Sequence, residues 1–135
     1  MSAAATPILT AHGVSHEIIK AALKVHSALG PGLLESAYAA CLLHEHKTGL
    51  HAQAQVALPV VYDNVKLDLG DRLDLVVEDL VIVEVKSVEA LTPVHQARLL
   101  SYLKLSGKSL GLLINFNVAH LKEGIKRMVV GKTWK

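Results

Sequence analysis

Apolar residues recur along this chain with two different periods, and the switches between them mark out the elements. From residue 14 to about 29, Val14, Ile18, Ala22, Val25 and Leu29 return every three or four positions, with Ile19 and Leu23 widening the stripe. That spacing predicts an amphipathic helix. Gly30-Pro31-Gly32 breaks it and opens a second helix, predicted over 33–46 and stopping near Thr48-Gly49. Glu35, Tyr38 and Leu42 lie on one side of this second helix. The spacing leaves two readings of Glu35 open: an acid facing inward, or one held by the positive end of the helix dipole. From residue 53 onward strand signals take over. One strand is predicted over 53–62, where Pro59 marks an edge or a bulge, and another over 65–69 after the turn dipeptide Asp63-Asn64. Two valine- and leucine-rich strands follow, 72–77 and 81–86, joined by Glu78-Asp79-Leu80. Thr92 reads as a helix N-cap with Pro93 at the first helical position, and that helix runs from 93 to about 105 before ending at Gly107. Residues 109–116 form a further apolar strand, and 121–130 carry the spacing of a final amphipathic helix weakened by Gly124. The order α-α-β-β-β-β-α-β-α describes a mixed α/β fold, expected as one domain over 1–135 with 1–12 as a loose lead-in.

Three charges interrupt the strand pair 72–86: Asp74, Glu84 and Lys86. Ionised groups in a core strand are costly unless they are paired or bind a metal. Glu84 and Lys86 are two residues apart, so a strand points both to one face. Leu73, Leu75, Val77, Val81, Val83 and Val85 are all aliphatic and all at odd positions. Directly paired residues share a face, so an odd loop at Glu78-Asp79-Leu80 would set Asp74 opposite Glu84 and keep the aliphatic set on one side. The two carboxylates would then converge, with Lys86 on their face. Such an arrangement suits a hard divalent cation, Mg²⁺ or Mn²⁺, aided by a backbone carbonyl, here that of Val85. Lys86 could then orient or deprotonate a water or offset charge on a phosphate. Taken by themselves, the residues equally allow a structural ion pair between Lys86 and one carboxylate.

Composition changes this picture little. The core is aliphatic, with half the residues hydrophobic (51%) and only 4% aromatic. A net charge of +2 is low for a dedicated nucleic-acid binder. Lys104, Lys108, Lys122, Lys126, Arg127, Lys132 and Lys135 make the C-terminal part locally basic, which reads first as a solvated helical surface and tail. No apolar run approaches a membrane span and no signal-peptide pattern opens the chain, so a cytoplasmic location is the expectation. One cysteine, Cys41, excludes a disulfide framework and a thiolate zinc site, and reads as a small buried hydrophobe. His44 and His46 diverge on a helix and make a poor metal pair. His26 and His95 are assigned packing or helix-end roles. There is no glycine-rich phosphate loop and no nucleophile-elbow spacing.

Gly32-Leu33-Leu34-Glu35-Ser36-Ala37-Tyr38 matches the motif that names the GxxExxY proteins, a family similar to the PD-(D/E)XK nuclease superfamily. The resemblance continues through Leu58-Pro59-Val60, Arg72-Leu73-Asp74, Glu84-Val85-Lys86, Leu91-Thr92-Pro93-Val94-His95, Leu99-Leu100-Ser101-Tyr102-Leu103 and Gly111-Leu112-Leu113-Ile114-Asn115-Phe116. It implies a restriction-endonuclease-like mixed sheet flanked by helices. Asp74 and Glu84 would be the metal-binding acids, Lys86 the catalytic lysine, and Glu35 the acid donated by a helix. One position departs from the pattern. The helix after the E-x-K strand commonly carries glutamine one turn before its tyrosine, here Tyr102, but Arg98 stands there, with Gln96 two residues earlier. Arginine can still bind phosphate. The expectation is thus a Mg²⁺-dependent nuclease acting on nucleic acid, DNA above RNA, with Arg98, Gln96 and Tyr102 as substrate-binding candidates. The competing expectation is a non-catalytic binding or interaction module on the same fold. Its small size would also suit a homodimer or a protein partner.

Overall fold

Thr10 opens the first helix: its hydroxyl accepts the Gly13 amide N–H at 3.0 Å, satisfying a donor the first turn leaves free. The computed structural model describes residues 9–46, 49–67 and 70–131. Helix α1, Ala11–Leu29, therefore begins three residues before the apolar stripe does, and the expected lead-in is helical from Ala11. Residues 1–8 of that lead-in lie outside the described residues, as does Thr48. Gly30, at φ 71°, turns the chain out of α1, and α2 follows as Glu35–His46.

Five strands make the main sheet: β1 Ala52–Ala57, β4 Arg72–Val77, β5 Val81–Lys86, β6 Leu110–Asn115 and β7 Ile125–Val129, in the order β1-β4-β5-β6-β7. Only β5 and β6 run parallel, because α3, Pro93–Ser106, provides the crossover between them. A separate hairpin pairs β2, Val60–Tyr62, with β3, Val65–Leu67. Helices α1 and α2 pack on one face of the main sheet against Leu75, Val77, Val81, Val83, Val85, Leu110 and Leu112. Helix α3 packs on the other against Leu73, Val76, Ile82 and Leu113. This is a mixed sheet flanked by helices, consistent with a restriction-endonuclease-like fold.

Three sequence expectations need correction. The stretch 53–62 is two strands: β1 ends at Ala57, and beyond Leu58-Pro59 the chain leaves the sheet to form the hairpin. Proline has no N–H to continue the ladder. The stretch 121–130 is not a helix but a short 3₁₀ turn, Leu121–Gly124, followed by β7. Every β6 residue is buried, so its outer edge has backbone groups to satisfy, and β7 pairs with it from Leu110 to Ile114. Lys126 and Arg127 consequently lie on an edge strand rather than a helical surface. Finally, the six odd-numbered aliphatics do not share a face: Leu73 packs beneath α3 while the other five pack beneath α1 and α2. The parity of β4 breaks at Asp74.

Candidate active site

The break at Asp74 is where the site begins. The three-residue loop Glu78-Asp79-Leu80 sets β4 against β5 with Val77 opposite Val81, Val76 opposite Ile82 and Leu75 opposite Val83. One step further would place Asp74 opposite Glu84, but the ladder stops there. Side chains take over its rungs. The Asp74 amide N–H donates to Glu84 Oε2 at 2.9 Å, and the Val85 amide N–H donates to Asp74 Oδ2 at 2.8 Å. Each carboxylate is held by the backbone of the strand facing it, in the gap where β4 and β5 part.

The Lys86 carbonyl accepts the Phe116 amide N–H at 2.9 Å and so faces β6. Adjacent strand residues point their backbone groups to opposite edges, so the Val85 carbonyl faces β4 and the same gap as its amide. Two carboxylates and one carbonyl thus converge. The second oxygen of each carboxylate makes no hydrogen bond among the described residues. A hard divalent cation takes one or two carboxylates and completes its shell with water or phosphate. The donor set fits Mg²⁺ or Mn²⁺ in that mode. Among the described residues no group of three or more His, Cys, Asp or Glu side chains is placed to hold a metal ion.

Glu35 is the first residue of α2 and is brought close by stitching between two loops. Tyr38 is fully buried, stacked on Phe116 with ring centroids 4.4 Å apart. Its hydroxyl donates to the Gly30 carbonyl at 2.6 Å and accepts the Leu33 amide N–H at 3.1 Å, fixing the turn before α2. Gly32 within this turn has φ 96°, a conformation that suits glycine. Ser87, directly after Lys86, donates its hydroxyl to the Leu33 carbonyl at 2.6 Å and its amide N–H to Glu35 Oε2 at 3.3 Å. The three positions Gly32, Glu35 and Tyr38 therefore have distinct tasks: turning, presenting an acid, and pinning. A cavity of about 280 Å³ is lined by Glu35, Ser36, Ala39, Gln55, Asp74 and Val85.

Electrostatics ties the cluster together. Burial first, and the Asp74 charge second, push the Glu84 carboxyl up to about 7 against the opposing pull of the Asp74 amide, Lys86 and Arg98. Burial likewise raises Asp74, with Glu35 adding to it and the Val85 amide and Lys86 opposing. Lys86 is half-buried and acts on both acids, yet among the described residues it forms no direct ion pair with either. A structural Lys86–carboxylate bridge is therefore not what holds this end of the sheet.

Helix α3 contributes from the other face. Tyr102 is buried, and its phenol is shifted up by burial and by Asp71, Glu84 and Asp74, with Arg98 acting against them. Arg98 is exposed but close enough to influence both Glu84 and Tyr102. Gln96 is half-buried, and no hydrogen bond or charge interaction ties it to the acids. His95 caps α3 in reciprocal fashion: the Thr92 amide N–H donates to its Nδ1 at 3.0 Å, and its own amide donates to the Thr92 hydroxyl at 3.4 Å. His26 is buried in α1, its Nε2 2.8 Å from the Val118 carbonyl.

Two residues near the site escaped the sequence reading. Asn115, buried at the end of β6, accepts the Val88 amide N–H at 3.0 Å and donates to the Val88 carbonyl at 2.9 Å, holding the loop after β5. A lone amide ending an apolar strand was the available signal. Gln55 gave none; only its backbone conformation and place in the cavity distinguish it.

The fold and the site's donor set define a nuclease-like α/β protein. The sequence profile of the PD-(D/E)XK nuclease superfamily matches residues 12–128, and the chain belongs to that superfamily. No curated protein and no solved structure matches it. Among the described residues no helix is long and apolar enough to cross a membrane.

Proposed function

We propose that this protein is a Mg²⁺- or Mn²⁺-dependent nuclease hydrolysing phosphodiester bonds of nucleic acid, with DNA as its substrate. The single observation that carries the reading is the gap at the end of the β4–β5 ladder. Asp74, Glu84 and the Val85 carbonyl meet there, with Lys86 beside them. Membership of the PD-(D/E)XK superfamily supports it, since nucleases of that kind generally use these metals. Asp74, Glu84 and the Val85 carbonyl would hold the ion, which when bound polarises the phosphoryl oxygen and lowers the pKa of water. Lys86 orients the attacking water and offsets negative charge gathering on the phosphate as the P–O bond to the leaving group breaks. Glu35 accepts a hydrogen bond from water on the α2 side, where the Ser87 amide keeps its carboxylate in place. Arg98 and Tyr102 contact the nucleic-acid backbone from the α3 side.

The test is a cleavage assay over single- and double-stranded DNA and RNA with Mn²⁺, run beside the Lys86→Ala protein. Loss of a general acid–base group typically costs about 10²–10⁴-fold. A loss of that size in a folded Lys86→Ala protein is the expected result. Equal activity in both proteins would mean contamination and would sink the assignment. Binding without cleavage by the wild type would favour a non-catalytic module, the reading to which the arginine at position 98 gives some support.

A further inference from the structure

We propose that Gln55, on the edge strand β1, supplies a carboxamide to the candidate site and uses it to hold a phosphate of the nucleic acid beside Asp74. The proposal rests on the nuclease reading and extends it to a residue outside the acid and lysine set.

Three observations converge on Gln55. First, its φ is 54°, the left-handed region, which is costly for a residue with a Cβ and persists only where the surroundings impose it. No register shift explains it. Ala54 pairs with Leu75 and Val56 with Leu73, so Gln55 lies directly across from Asp74, and this is the one step of the run left without a pairing. Second, both strands turn over at that step. Ala52, Leu75 and Val77 pack under α1 and α2, whereas Val56 and Leu73 pack under α3. The turn-over breaks the parity of β4 and places Gln55 with Asp74. Third, both residues line the same cavity, together with Glu35, Ser36 and Val85.

The chemistry of that cavity calls for a neutral donor. Glu35 and Asp74 make it acidic, and Arg98 acts from the α3 side on Glu84. A phosphate entering beside α2 needs an N–H that neither titrates nor competes with a metal ion for the acids. A carboxamide provides two such donors and an acceptor for water.

Glycine and asparagine both tolerate the left-handed region, so Gln55→Gly and Gln55→Asn separate the amide from the backbone turn. Gln55→Gly removes strain and amide together; Gln55→Asn keeps an amide but withdraws it by one methylene. Thermal midpoints, Mn²⁺ affinity and KM are measured for both. Affinity for the cleaved nucleic acid is measured in the Lys86→Ala background with Mn²⁺ present. The expected result is an unchanged or raised midpoint, unchanged Mn²⁺ affinity, and KM and Kd raised about tenfold or more, as for a lost hydrogen bond to a charged group. Wild-type KM and Kd in Gln55→Gly would overturn the proposal while leaving the nuclease reading intact. A fall in Mn²⁺ affinity would also overturn it, because Gln55 would then act by shaping Asp74. A wild-type protein that neither binds nor cleaves any nucleic acid removes the nuclease reading and this proposal together.

Discussion

Replacing Glu84 with glutamine should stabilise the metal-free protein at alkaline pH, against the usual outcome for a buried polar residue. Glu84 is only 6% exposed, and its carboxyl is raised from 4.5 to about 7 by burial and by the neighbouring Asp74. The folded protein therefore holds this proton more tightly than the unfolded chain. The associated stability is fully present below pH 4.5 and is lost as pH rises through 7. At about 1.4 kcal/mol per pKa unit, the shift amounts to about 3 kcal/mol. Asp74, raised for similar reasons, acts in the same direction. A glutamine carbonyl can still accept the Asp74 amide N–H that Glu84 accepts now, but it cannot ionise. With EDTA present, Glu84→Gln should match the wild type near pH 4.5 and exceed it by about 3 kcal/mol at pH 8, a midpoint difference of about 10 °C. Urea and thermal unfolding followed by circular dichroism across that range measure both. Mn²⁺ at a hundred times its Kd should return about 2.7 kcal/mol to the wild type at pH 8 and almost nothing to the variant. Parallel pH profiles for the two proteins would refute the reasoning. A variant less stable at pH 8 would mark Glu84 instead as the partner of a buried cation, whose loss costs about 3–5 kcal/mol.

Tyr38→Phe keeps the ring stacked on Phe116 but deletes the hydroxyl that joins Gly30 to Leu33. It should cost about 1–3 kcal/mol in denaturant unfolding and lower cleavage by loosening the turn that presents Glu35, with Mn²⁺ affinity retained; full stability and activity would remove the pinning role. Arg98→Ala should weaken nucleic-acid binding evenly across sequences and reduce the slope of log K against log salt by about 0.7–0.9, one phosphate contact's share. An unchanged slope in binding titrations at several salt concentrations would place Arg98 outside the interface.

Wherever the information was local, the sequence was enough. The stripe of α1, the Thr92-Pro93 start and Gly107 end of α3, and the odd loop between β4 and β5 are all written in neighbouring residues. The charges at Asp74, Glu84 and Lys86 stood out because their apolar setting was equally local, and the family resemblance added Glu35. What the sequence misjudged depends on residues far apart in the chain. Leu121, Ile125 and Val129 have helical spacing, but β6 leaves an open edge that a strand must fill, so β7 forms instead. Gly124 looks like a weak point in a helix. In the fold it lets the chain pass the Asn115 carbonyl, into which any Cβ would run. The aliphatic parity of 73–85 predicted one face, yet the strands turn over at Gln55 and Asp74. No residue within β4 announces that turn, because it takes two strands to make it, with Gln55 facing Asp74 from 19 positions earlier in the sequence. Periodicity records which side of an element is apolar, whereas the place where two paired strands reverse sides is set by the core packed on each face of the sheet.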